Sequence, residues 1–219
     1  MNADAVLDRL RAADIQPPTA RGRATREKLM SAAERCFADR GFDGTAVSAI
    51  ASEAGISHGN FYRHFDDKGD ILIAVIARLY GDLRASGAER GIISAPTFAA
   101  LKQRQIAFFT GYAARRHLFR VTREAAARPD AETFRAMWLS IRGIFVDRSA
   151  AWIKRCQTAG HVDAGLDAEA VATALGAMTE QLAYVELGLP KADPTPAVLE
   201  ELGRTSALIW HRTLSEPAA

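Results

Sequence analysis

The chain is poor in cysteine, with only Cys36 and Cys156 among 219 residues, and they form no CxxC pair and have no neighbouring histidine. A zinc site of the usual spacing is thereby excluded, and both thiols read as reduced, small buried hydrophobes. The five histidines fall in neither HExxH nor HxxxH spacing, so no metal and no cofactor are expected. No long apolar run exists either. The longest, Ile71 to Ala77, is far below the ~18 residues of a membrane span, so no membrane partner is expected. The first residues mix Asp and Arg with apolar side chains and lack the core of a secretory signal, which predicts a cytoplasmic protein. Net charge is nearly absent: 28 Lys and Arg against 26 Asp and Glu leave +2, so any electrostatic role must be local. P-loop, GxGxxG, GxSxG and paired metal-spaced carboxylates are all missing, and no enzyme activity is expected.

What is present is helical periodicity. The prolines, at 17, 18, 96, 129, 190, 194, 196 and 217, punctuate the chain without interrupting a periodic segment. From Thr25, Leu29, Ala32, Ala33, Cys36 and Phe37 form one stripe that Gly41 closes. From Lys68 the stripe is Ile71, Leu72, Val75, Ile76, Leu79 and Leu83. Further helices are read from Leu101 to Tyr112, from His117 to Arg128, from Asp130 to Gly160, from Asp167 to Gly188 and from Thr195 onward. Strand-type alternation is missing over any useful length, so the fold is all-α with about nine helices. Residues 1–20 read as a flexible N-terminal extension.

The densest text is TAVSAIASEAGISHGNFYRHF, from Thr45 to Phe65. Thr45 reads as an N-cap, Val47 and Ile50 as inward residues, Gly55 as the left-handed hinge and Ser57 as the cap of a second short helix. Phe61 then faces inward, while His58, Gly59, Asn60, Tyr62, Arg63 and His64 remain outside. Two such helices make a helix-turn-helix, whose second helix can enter the major groove of double-stranded DNA. A solvated face would carry Glu and Lys; this one is small and polar, with groups able to bond bases or phosphates. The rival reading is an all-helical adaptor that turns the same corner toward a protein.

From Thr25 to Leu72 the sequence resembles the DNA-binding domain of the TetR family of one-component bacterial regulators. The resemblance rests on GFDGT, IASEAGIS, FYRHF and DDKGDIL in order, with Gly69 and Asn60 as departures. It implies that Thr45, Tyr62, His64 and Lys68 hold the phosphate backbone and that Ser57, His58, Gly59 and Asn60 lie near base edges. It divides the chain into a DNA-binding domain, 21–67, and an effector-binding and dimerisation domain, 68–219, with the helix from Lys68 as the lever between them.

From Arg21 to Asp70 there are eight bases and eight acids, so DNA binding requires charge segregated by face, with the arm Arg21, Arg23 and Arg26 on the DNA side. One recognition helix reads few base pairs, which argues for a homodimer on a near-palindromic operator. Val171, Leu175, Met178 and Leu182, with Leu202, Ser206 and Ile209 of the last helix, are the expected interface. Phe108, Phe109, Tyr112, Phe119, Trp138 and Phe145 are the expected lining for a small hydrophobic or aromatic effector. His117, Arg120, Arg123 or Glu124 would fix its polar end. The expected function is that of a repressor released by this effector.

Overall fold

A computed structural model of the chain describes residues 17–86, 95–129 and 131–215. Most of the expected N-terminal extension, the helix start at Asp130 and the side chain of Leu83 lie outside the described residues. Nine α-helices and no strand are found among those described. The first four are α1 (Ala20–Arg40), α2 (Val47–Glu53), α3 (His58–Phe61) and α4 (Lys68–Ser86). They are followed by α5 (Phe98–Ala113), α6 (Arg116–Ala126), α7 (Glu132–Thr158), α8 (Ala168–Ala183) and α9 (Pro196–Ser215). A π-helical turn, Tyr184–Gly188, extends α8.

The chain divides into two compact units. The first holds residues up to 89 together with 120–141, and the second holds 90–119 together with 142–219. Helix α4, read from the sequence as the link between two halves, lies wholly in the first unit; the chain crosses between units after α4 and again inside α6 and inside α7.

In the first unit, α1 begins five residues before Thr25. Thr19 caps it by accepting from the Gly22 N–H at 3.0 Å, whereas Thr25 sits inside the helix and returns its hydroxyl to Arg21 O. The predicted stripe, Leu29, Ala32, Ala33, Cys36 and Phe37, is buried. Gly41, at φ 68°, ends the helix in the left-handed region that disfavours a β-carbon, and its N–H returns to Phe37 O. Ile50, Phe61, Phe65, Ile71, Leu72 and Ile76 complete this core. At the start of α4, Asp67 accepts from the Gly69 and Asp70 N–H groups at 2.7 and 2.8 Å. Asp70 in turn accepts from the Asp66 N–H, so two side chains satisfy three orphan donors.

The second unit is built on α5 against α9. A β-carbon at Gly203 would lie 2.9 Å from the Ile106 backbone nitrogen, so only glycine permits this approach. Leu101, Trp152, Ile153, Cys156, Leu175 and Trp210 fill its core. Cys36 and Cys156 are buried and joined in no disulfide, and burial pushes both thiols above the ordinary range.

Candidate nucleic-acid interface

The helix-turn-helix is built from α2, a hinge and α3. Gly55, at φ 66°, takes the left-handed conformation, and the Ile56 N–H returns to Ala51 O at 2.9 Å to close the turn. Ser57 caps α3 by accepting from the Asn60 N–H at 3.3 Å. Phe61 and Phe65 anchor the segment from beneath. Above them Ser57, His58 and Gly59 are exposed, and Asn60 and His64 are half-buried. Tyr62 is 50% exposed, its ring set edge-on to His58 and Phe61. A rigid, half-exposed ring held at its edge carries a hydroxyl that can donate.

Two expected phosphate ligands are placed otherwise. Thr45 is buried, its hydroxyl 2.7 Å from Gly41 O and 3.1 Å from Cys36 O; it ties the α1–α2 loop inward. It is not the cap of α2 either, because Ala46 occupies that position and offers no side-chain bond. Lys68 turns its ammonium onto the same loop, donating to Phe42 O at 2.9 Å, Thr45 O at 3.2 Å and Asp43 O at 3.3 Å. The ammonium also lies 4.7 Å from the Phe42 ring centroid.

The basic arm is likewise divided. Arg21 and Arg23 are exposed on the first turn of α1, and Arg23 is held by the carbonyls of Pro17 and Pro18. Arg26 is buried, with its guanidinium 4.2 Å over the Phe65 ring and Nη1 donating to His64 O at 3.1 Å. It braces the segment of α3 from behind and lies away from the exposed surface on which the sequence reading set it. Several of the acids are neutralised by pairing. Glu27 and Glu34 are taken by Arg78, Glu53 by Arg35 and Asp43 by Arg128, while exposed Arg21 and Arg63 stand in no ion pair among the described residues.

Five of the six expected effector aromatics share the second unit. Phe108 meets Phe109, Phe145 and Tyr112 at centroid distances of 5.3, 5.7 and 6.2 Å, and Tyr112 stacks on Phe119 at 4.7 Å. Trp138 belongs to the first unit. So do Arg120, which donates to Ala38 O, and Glu124, which faces Arg120.

The dimerisation stripe is split as well. Leu175 is buried in the subunit core, and Ser206 is fully buried against Thr179, whose hydroxyl also accepts from Trp210 Nε1. Val171, Met178, Leu182 and Leu202 are half-buried. Of the expected set, only Ile209 is exposed. Val185, Leu189, Val198 and Leu208 are exposed too.

The model of the bacterial regulatory proteins of the TetR family matches residues 29–75, and that of the C-terminal domain of the transcriptional regulator EthR matches 101–212, about half of the chain. The chain belongs to the TetR family. The transcriptional repressor BepR of Brucella suis is 43% identical over 54 residues, which cover 25% of this chain and 26% of that protein. The repressor AcnR of Corynebacterium diphtheriae is 29% identical over 68 residues, 31% of this chain and 36% of its own. The chain thus spans roughly a quarter to a third of the length of these curated relatives. GusR of Salmonella enterica shares the fold with a TM-score of 0.70 at 21% identity, over 90% of this chain and 98% of that one. FadR of Bacillus subtilis, in complex with stearoyl-CoA, does so at 0.65 and 19%, over 86% and 98%.

Within this TetR-family domain, Arg26 and Lys68 are the residues whose work the sequence concealed. Arg26 could have been found. It stands three residues before Leu29 and in phase with Ala33 and Phe37, so a charged residue lies on the buried stripe of α1. No comparable signal marks Lys68, whose partners are backbone carbonyls.

Proposed function

We propose that the protein is a repressor that binds a near-palindromic DNA operator as a homodimer and is released by a small hydrophobic or aromatic effector. The observation that carries this reading is the surface of α3: three exposed small or polar residues, Ser57, His58 and Gly59, beside a half-exposed Tyr62, all fixed from beneath by Phe61, Phe65 and Arg26. Small residues allow close approach to base edges, and Asn60 and His58 can bond them. Tyr62, His64 and the exposed Arg21 and Arg63 serve the phosphates, while Arg23 lies beside them. Residues 21–67 are the DNA-reading part and 68–219 the regulatory part.

The effector side is supported by the aromatic cluster on α5, α6 and α7 in the second unit, and by fold relatives whose structures hold stearoyl-CoA or triclosan. An effector that favours a dimer with wrongly spaced recognition helices lowers operator affinity, and DNA lowers effector affinity by the same factor. Gel-shift titration with the DNA upstream of the protein's own gene, at two salt concentrations, tests the reading. A sequence-selective shift that weakens with salt is expected; its absence rejects the operator.

A further inference from the structure

Resting on the reading of the second unit as an effector domain, we infer that its effector carries a hydrogen-bond donor, an N–H or O–H on an otherwise apolar body, and that Gln105 reads it. Gln105 is 3% exposed, and its side-chain oxygen Oε1 has no hydrogen-bond partner among the described residues. Its place on α5 explains why. At ~100° per residue, Leu101, Gln105, Phe108, Phe109 and Tyr112 share an arc of about 100°, with Gln105 near its middle. The neighbours on either side face elsewhere. Arg104 donates to Ser149 Oγ at 2.9 Å and lies over the Trp152 and Trp210 rings, and Ile106 packs on Gly203 of α9. The flanking aromatics are engaged with one another, Phe108 with Phe145 and Tyr112 with Phe119.

A buried amide oxygen without a partner loses its hydration and regains nothing, so its presence disfavours the unliganded fold. A ligand that brings a donor restores that loss and is selected over an equally shaped one that does not. An apolar pocket discriminates shape weakly, whereas an unmet polar group discriminates strongly. The class this describes is phenol-like or indole-like, as opposed to a purely hydrocarbon molecule.

The test uses indole and benzothiophene, which differ chiefly in the N–H, titrated calorimetrically into the full-length protein without DNA. Wild type is expected to bind indole about fivefold more tightly, one hydrogen bond's worth. Gln105→Met, which removes the unmet oxygen at similar volume, is expected to bind the two alike and, unliganded, to melt about 2–4 °C higher than wild type. Equal binding by wild type, a preference that survives in Gln105→Met, or a lower melting point for that variant overturns the assignment. A variant no more stable than wild type together with equal wild-type binding would mean that a resident water serves the oxygen, and also overturns it. Because no DNA is present, a failed gel shift with a retained indole preference rejects the operator alone, and the reverse pattern rejects this assignment alone.

Discussion

At the scale of single residues, Lys68 and His64 separate holding the fold from holding DNA. The ammonium of Lys68 satisfies three carbonyls of the α1–α2 loop. Lys68→Met should therefore lower stability by about 1.5–3 kcal/mol, the worth of hydrogen bonds to a charged group, as read from denaturant unfolding. A phosphate ligand would instead lower the salt slope of operator binding by about one on removal; the slope of Lys68→Met should match that of wild type. His64 has the opposite character. Burial, then the charges of Arg26 and Arg63, hold its imidazole below the ordinary value of 6.5, so it is neutral at pH 7 in the free protein. A phosphate beside it favours the charged form. Binding then takes up a proton, and operator affinity should rise as pH falls from about 7.5 to about 6, by no more than about tenfold per unit. The fold responds in the other direction: a depressed imidazole binds fewer protons native than unfolded, so its contribution is present above 6.5 and is lost as pH drops below. His64→Asn should flatten the affinity profile; a profile unchanged by that substitution would remove His64 from the interface.

At the scale of elements, the connection between α8 and α9 is organised by one side chain. Arg116, 3% exposed at the first turn of α6, donates from Nη1 to Ala192 O at 2.6 Å, Pro190 O at 3.1 Å and Leu187 O at 3.4 Å. Its Nη2 donates to Lys191 O and to Asp193 Oδ1, both at 3.0 Å. Arg116→Met should lower the melting temperature by roughly 5–10 °C, about 2–4 kcal/mol, with helix content at 25 °C retained in circular dichroism. A melting point within a degree of wild type would show that water replaces the guanidinium without loss. This clamp also marks where the sequence stops being legible. The helices could be read because a 3.6-residue period writes itself along the chain, as in Leu29, Ala33 and Phe37, and because Gly41, Gly55, Ser57 and Asp167 cap or hinge by their own chemistry. The short helix α3 and its exposed small and polar face were readable for the same reason. Arg116, Lys68 and Thr45 were not, since their partners are carbonyls of any residue type, up to 76 positions away. The π turn at Tyr184–Gly188 has no period of its own, so nothing in the sequence marks it, although Val185 within it and Leu189 after it are exposed.

At the scale of the whole molecule, the outcome rests on whether the outward face of α8 and α9 joins two copies. Ile209 is 41% exposed and Val198 40%, eleven residues apart and therefore on one side of α9. Neither belongs to the subunit's own core, unlike the buried Ser206 and Trp210, which stand about 60° and 100° round the helix from Ile209. A charge at Ile209 consequently leaves the monomer's packing intact but would be buried unpaired in a twofold interface, where it is strongly unfavourable. Ile209→Glu should keep the melting profile expected of a folded chain yet scatter light as a monomer. Its affinity for a two-half-site operator should fall by about a hundredfold or more, because linkage of two reading heads is lost, while its affinity for an isolated half-site stays as in wild type. The comparison of the two DNAs isolates association from reading. A variant that loses both would place Ile209 in the subunit's own stability, and one that loses neither would move the dimer contact to another face of the chain.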